Sequence, residues 1–380
     1  MKKLLLLLLV CSTSINAQVL NEEFNSYKMG ETRNISIYVP ESYSAEDKKT
    51  YPLIIVLDGE YLFDLTVSNT KLYSYWEEMP EAIVVGIEQE DVRIGDTKFN
   101  ADSGLPEERG ASFFEFVAME LVPYIAKGYK TANFKMIIGH DRTAAFLNYY
   151  LFKEDPMFDA YVSLAPKFAP FMEERLADKL NSTEKRRFYY LATSENDDKR
   201  GRKAIKALNE KLKTSTNENL SFYFDEFANA TENAVSGYGI ASAMDQIFGM
   251  YKPITVKEYR ENIAKMDSDV FSYLDKKYND IETFFGFRKQ TTMNDIMAIY
   301  AAAKKKEDLE SLQKLGVLGL NEYPETMLGH FFEAEFHELS GEPKKALRTY
   351  EKAFASPEID FMTKDLVLER MEALKADFGY

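Results

Sequence analysis

The sequence is poor in the residues that most often carry chemistry. Its 380 residues include one cysteine and three histidines. The cysteine is Cys11, so the rest of the chain has no disulfide and needs none in an oxidising compartment. Neither histidine nor cysteine is abundant enough to support a zinc centre. Long basic runs are also missing, and the formal charge is −15, which disfavours a nucleic-acid role. After the first residues, no apolar stretch is long enough to span a bilayer, so no transmembrane segment is expected. Apolar residues are not scarce. They make up 45% of the chain and aromatics 14%, which predicts a packed interior and not a disordered chain. The length is too great for one ordinary core and suggests about two domains.

The first residues read as a secretory signal peptide over 1–17. Met1-Lys2-Lys3 is basic, Leu4 to Val10 is apolar, and Ser12 to Asn16 leads to an Ala17-Gln18 junction that fits cleavage. Export to the periplasm or medium follows. A lipid-modified cysteine normally follows a small residue, and Val10 precedes Cys11, so lipidation is disfavoured.

From Asn34 onward, buried strands alternate with helices. Asn34 to Pro40 alternates like a half-buried strand. Leu53–Leu57, Ala82–Ile87, Phe134–Ile138, Ala160–Leu164, Phe188–Ala192 and Leu220–Phe224 read as strands, most of them continuous apolar runs. Ser112 to Ile125, Thr143 to Phe152 and Arg202 to Lys213 read as helices. This order predicts an α/β class fold with a doubly wound, mostly parallel sheet. The alternation ends near Pro253. From there the chain reads as a smaller all-α domain, in which Gly329 to Pro357 has the spacing of one tetratricopeptide-like repeat unit or is a plain helical extension. Asn294 to Leu315 reads as a weaker neighbouring helix pair. The expected domains are 19–251 and 252–380.

The segment from about Ser36 to Tyr251 resembles the esterase family that includes S-formylglutathione hydrolase and ferric-enterobactin esterase. The resemblance rests on pieces in family order: Ile37 to Tyr43, Tyr51 to Gly59, Val85-Gly86-Ile87 with Arg93 and Asp96, and Phe113 to Ile125. It implies an α/β-hydrolase fold, followed here by the helical-repeat domain. It also implies a nucleophile elbow Gly-x-Ser-x-Gly between a strand and a helix. In this sequence the elbow reads Gly139-His140-Asp141-Arg142-Thr143. Asp141 takes the serine position and Thr143 that of the second glycine. The family's histidine segment is matched by Thr231 to Val235, with Glu232 at the histidine position. The acid is expected after Ala192, where Glu195 is slightly preferred to Asp197.

Asp141, Glu232 and Glu195 are therefore the triad-equivalent candidates, with Glu60 and Arg142 as candidate ligand-binding residues. Serine attack needs a base that titrates near neutrality. His140 is expected to point away from the pocket, and His330 and His337 lie in the helical region. Three readings follow. One is an exported esterase-family protein without strong serine-hydrolase activity, acting in binding or scaffolding. Asp141 and Glu232 would then face each other, with one pKa raised or a cation between them. Another is a hydrolase with an Asp141 nucleophile, because Gly139-His140-Asp141-Arg142 resembles the elbow of α/β-hydrolase-fold haloacid dehalogenases and epoxide hydrolases. Metal-assisted hydrolysis through Asp141, Glu232 and Glu195 is the third, and oxygen ligands would suit calcium, magnesium or manganese. No resident cofactor or metal is assigned. The expected partner is a small molecule or a peptide or protein, the latter through the helical domain.

Overall fold

Why most strands here lack alternation is clear once both faces of the sheet are seen to be covered. Tyr51–Val56 (β3), Ile83–Ile87 (β4), Ala160–Leu164 (β6) and Arg187–Ser194 (β7) are buried at every position. A strand covered on both sides is apolar throughout. The remaining strands are Val19–Ser26 (β1), Glu31–Tyr38 (β2), Thr131–His140 (β5) and Leu220–Phe227 (β8). They form one eight-stranded sheet in the order β1-β2-β4-β3-β5-β6-β7-β8. β1 and β2 are antiparallel, as are β2 and β4; from β4 through β3 to β8 every pairing is parallel. This is an α/β-hydrolase fold followed by an all-α region. The computed structural model describes residues 19–46 and 48–379; the expected signal peptide and Cys11 lie outside the described residues.

β1 is absent from the sequence reading because its eight residues, VLNEEFNS, are mostly exposed and polar. It is held instead by register, from Val19 opposite Tyr38 to Ser26 opposite Glu31. Glu120 clamps the hairpin that follows: its carboxylate accepts from Ser26 Oγ at 2.5 Å and from the N–H groups of Tyr27 and Lys28 at 3.1 Å each. Glu120 sits in a π-helical turn, Phe116–Leu121, within the helical run predicted for Ser112 to Ile125.

The helix after the elbow is shorter than its periodicity suggests. Arg142–Phe146 is helical and Leu147–Tyr150 tightens to a 3-10 turn. The buried Asn148 explains the change, because its side-chain amide donates to the carbonyls of Ala144 (2.9 Å) and Ala145 (3.2 Å). Such back-bonding competes with the helical ladder.

The chain divides into two compact units, one ending at Ile247 and the other comprising Tyr75–Met79 and Phe248 onward. The second unit is built from helices including Met293–Lys306, Leu309–Glu322, Leu328–Leu339, Pro343–Ala355 and Lys364–Phe378. Ile296, Leu315, Phe331, Phe332 and Tyr350 form its core. Gly319 and Gly329 let two of these helices touch: a Cβ on Gly319 would lie 2.7 Å from the Gly329 Cα. No helix of the described residues is long and apolar enough to cross a membrane.

Candidate functional site

Three strands end in residues whose backbone is forced into positive φ. Asp58 (φ 53°) follows β3, Asp141 (φ 57°) follows β5 and Ala165 (φ 46°) follows β6. Side chains other than glycine rarely adopt this conformation, and its cost is tolerated mainly at functional sites. All three lie at the carboxyl edge of the parallel strands, where open α/β sheets place their ligands.

Asp141 sits at the apex of a sharp strand-to-helix turn, with ψ −111°. Gly139 is required there. A Cβ on it would meet the backbone of Thr143 and Ala144 at 2.7–2.8 Å. Thr143 replaces the second small residue without clashing, because its hydroxyl is used. Oγ1 accepts from the His140 N–H at 2.9 Å and lies 2.6 Å from Asp58 Oδ2, to which it donates.

Arg93 and Lys167 give this turn its electrostatics. The Arg93 guanidinium grips the fully buried Asp58 with two nitrogens, Nε at 2.6 Å and Nη2 at 2.9 Å. It also donates to the His140 carbonyl (2.7 Å) and lies 3.2 Å from Asp141 Oδ2. Lys167 Nζ lies 2.8 Å from Asp141 Oδ1 and 2.8 Å from Glu232 Oε1. Its position follows from the backbone, since the Lys167 N–H donates to the Asp141 carbonyl at 3.1 Å. Burial lowers the Lys167 pKa, but its pairing with the Asp141 and Glu232 carboxylates outweighs it and the net shift is upward. The ammonium therefore stays charged at neutral pH. Asp141 and Glu232 do meet at one place, with a lysine of this chain between them.

On its other side the site continues as a hydrogen-bonded network. Tyr61 donates to Asp58 Oδ2 at 3.0 Å and lies 3.1 Å from His140 Nδ1. His140 Nε2 is 3.1 Å from the Glu232 carbonyl, which can only accept, so Nε2 carries a proton. His140 is buried, yet it does not point away from the site as its place in the elbow suggests. Both ring nitrogens lie 3.1 Å from partners in this network, Nδ1 from the Tyr61 hydroxyl and Nε2 from the Glu232 carbonyl. Burial, followed by the charge of Asp58, pushes the Tyr61 hydroxyl pKa well above its ordinary range.

The other sequence candidates stand apart. Glu195 is exposed, and its side chain has no hydrogen bond or ion pair to Asp141, Glu232 or Lys167 among the described residues. Asp197 turns back on its own loop, accepting from Thr193 Oγ1 and from the Ser194 N–H. Glu60 accepts from the Gln89 N–H at 3.0 Å, and burial raises its pKa. Together with Glu31, Glu88, Glu90 and Asp91 it lines a separate acidic depression. Arg142 is exposed and borders a cavity of about 20 Å³ shared with Thr97, Tyr149 and Lys167. That is about enough space for one water and far below a ligand pocket. No three or more His, Cys, Asp or Glu side chains converge on a possible metal position among the described residues. Sequence reading placed Arg93 in the family pattern without a role. It missed Lys167 entirely, which lies outside every motif.

Compared with family models, residues 26–225 match the Esterase family, described as "Putative esterase". The chain belongs to the Esterase family. Among solved structures, it is similar to an uncharacterised protein from Capnocytophaga ochracea at 37% identity and TM-score 0.86, covering 94% of this chain and 100% of that one. An IroE-like serine hydrolase from Shewanella oneidensis matches at 20% identity and TM-score 0.58, over 79% of this chain and 98% of that one. A siderophore hydrolase from Aspergillus nidulans matches at 18% identity and TM-score 0.50, over 61% and 95%. The last two establish a shared fold only. A comparison with curated proteins finds no match.

Proposed function

We propose that this Esterase-family member is an exported, catalytically degenerate hydrolase that acts by binding and not by ester hydrolysis. The observation that carries the reading is the pairing of both Asp141 carboxylate oxygens, Oδ2 with Arg93 and Oδ1 with Lys167. A carboxylate nucleophile needs a free, poorly compensated oxygen facing the substrate. Here each oxygen faces a cation of the chain: Oδ2 accepts a hydrogen bond from Arg93, and the buried Oδ1 is held in an ion pair with Lys167 without a hydrogen bond. Glu232, at the position of the family's base, is likewise paired with Lys167. The small cavity beside the elbow agrees with this reading. The ligand is a small molecule, or a peptide or protein held by the helical region, as helical repeats commonly do.

One observation favours a second reading. The strained elbow persists although no serine is there, and strain of this kind is usually kept for a use. On that reading, once Lys167 moves aside, Asp141 attacks the acyl carbon of an ester-type substrate, the ester C–O bond breaks with release of the alcohol, and water hydrolyses the resulting anhydride to regenerate the carboxylate.

The test is hydrolysis of short-chain p-nitrophenyl esters together with labelling by a fluorophosphonate probe. The expected result is turnover close to the uncatalysed rate and no stoichiometric label. Brisk turnover that is abolished by Asp141→Asn would overturn the binding reading and establish Asp141 as the nucleophile.

A further inference from the structure

A cavity of the first unit lies away from the elbow. It has a volume of about 650 Å³ and lies between the helical run Arg109–Gly128 and the segment after the elbow. Its body is apolar, with Phe114, Ala118, Met119, Tyr149, Phe152 and Met157 among the lining residues. Phe114 stacks on Tyr150 at 4.4 Å between ring centroids, with 16° between the planes, and gives the cavity a flat aromatic wall. A volume in this range suits a small organic ligand.

Charge at the rim sets the ligand class. Two carboxylates line the cavity, Glu115 and Asp155, and each is already paired with a lysine outside the lining: Lys28 at 2.8 Å and Lys185 at 2.7 Å. The third charged group is Lys153. Its ammonium lies 4.8 Å above the Phe114 ring, and no carboxylate pairs with it among the described residues. A cation over an aromatic face is attracted by the ring's negative face while its N–H groups can still donate to an anion. The rim therefore offers one uncompensated positive charge above an apolar body, with its negative charges neutralised.

We propose that this cavity binds an amphipathic carboxylate, an apolar body carrying one anionic head, with the head on Lys153 and the body against Phe114, Ala118 and Met157. The proposal is independent of what the elbow does, since none of these residues belongs to the Asp141 network.

Titration calorimetry on the whole protein with decanoate, decanol and decyltrimethylammonium tests it. Decanoate is expected to bind with one-to-one stoichiometry and at least tenfold more tightly than decanol, with no measurable binding of the cation. Lys153→Met, an exposed position where folding is not at stake, is expected to bring decanoate down to the affinity of decanol. Ala118→Trp fills the cavity and is expected to abolish binding of both, with an unchanged far-UV circular dichroism spectrum confirming the fold. Absence of decanoate binding, equal affinity for the three probes, or full affinity in Lys153→Met would each overturn the proposal.

Discussion

Lys167 Nζ stands 2.8 Å from Asp141 Oδ1 at the position where the Esterase family pattern expects a serine, and equally far from Glu232 where it expects a histidine. One ammonium thus bridges the two carboxylates. The two halves of the bridge differ in burial, because the Asp141 side chain is 11% exposed and that of Glu232 33%. Double-mutant cycles with Lys167→Met should give a coupling of about 0–1 kcal/mol to Glu232→Gln, as for exposed pairs. The coupling to Asp141→Asn should be larger. Equal couplings, measured by urea unfolding, would mean that burial does not set the strength of this bridge.

Arg93 is the sole guanidinium on the fully buried Asp58 among the described residues. Arg93→Met leaves that carboxylate with only the hydroxyl donors of Thr143 and Tyr61. Removing one member of a buried pair costs about 3–5 kcal/mol. The double change Arg93→Met with Asp58→Asn should recover part of the loss in chemical denaturation.

Gly139→Ala should cost about 1–3 kcal/mol, because the new Cβ presses on backbone and not on a flexible side chain. Gly237→Ala is the control. Nothing lies within 4 Å of its Cβ, and it should be neutral or slightly stabilising. Equal unfolding midpoints for the two variants would contradict the close packing at the elbow.

Lys289 of the second unit gives a pH prediction. Its amine donates to the Tyr251 carbonyl at 2.6 Å and lies over the Tyr251 ring. Burial brings its pKa from 10.5 down to about 8, against the attraction of Asp295 and Glu77. The unfolded chain therefore binds more protons than the folded one between those values. By linkage, this residue's contribution is most favourable above the unfolded value and is lost as pH falls through about 8. Relative to Lys289→Met, the unmodified protein should gain stability as pH rises from 8 to 10.5. Parallel pH–stability curves for the two proteins would refute this.

Export is checked by mass. Protein recovered from the cell envelope or medium should begin at Gln18, after loss of the segment ending at Ala17. A start at a lipid-bearing Cys11 would make the protein a membrane-anchored one.

Much of the first unit was legible because a parallel sheet covered on both faces leaves continuous apolar runs, and Ala160–Leu164 is recognisable from its residues alone. β1 was not, since an exposed edge strand needs no apolar side chains and is defined by its pairing with β2. The end of the helical run after the elbow was also hidden, because Asn148 acts through a side chain that periodicity does not weigh.

The elbow shows the same division most sharply. The sequence by itself determined that Gly139-His140-Asp141-Arg142-Thr143 stands in the segment that resembles the family's elbow, and that Glu232 stands in the segment that resembles its histidine region. Those are facts of residue identity at a recognisable spacing. Only the tertiary structure decided what the substituted carboxylates do. Lys167 comes from the loop after β6 and Arg93 from the turn after β4, and each is brought to Asp141 by strand order. Their charges matter because they meet Asp141 at about 3 Å in a partly buried site, where screening by water is weak. A spacing of tens of residues along the chain carries no trace of that distance.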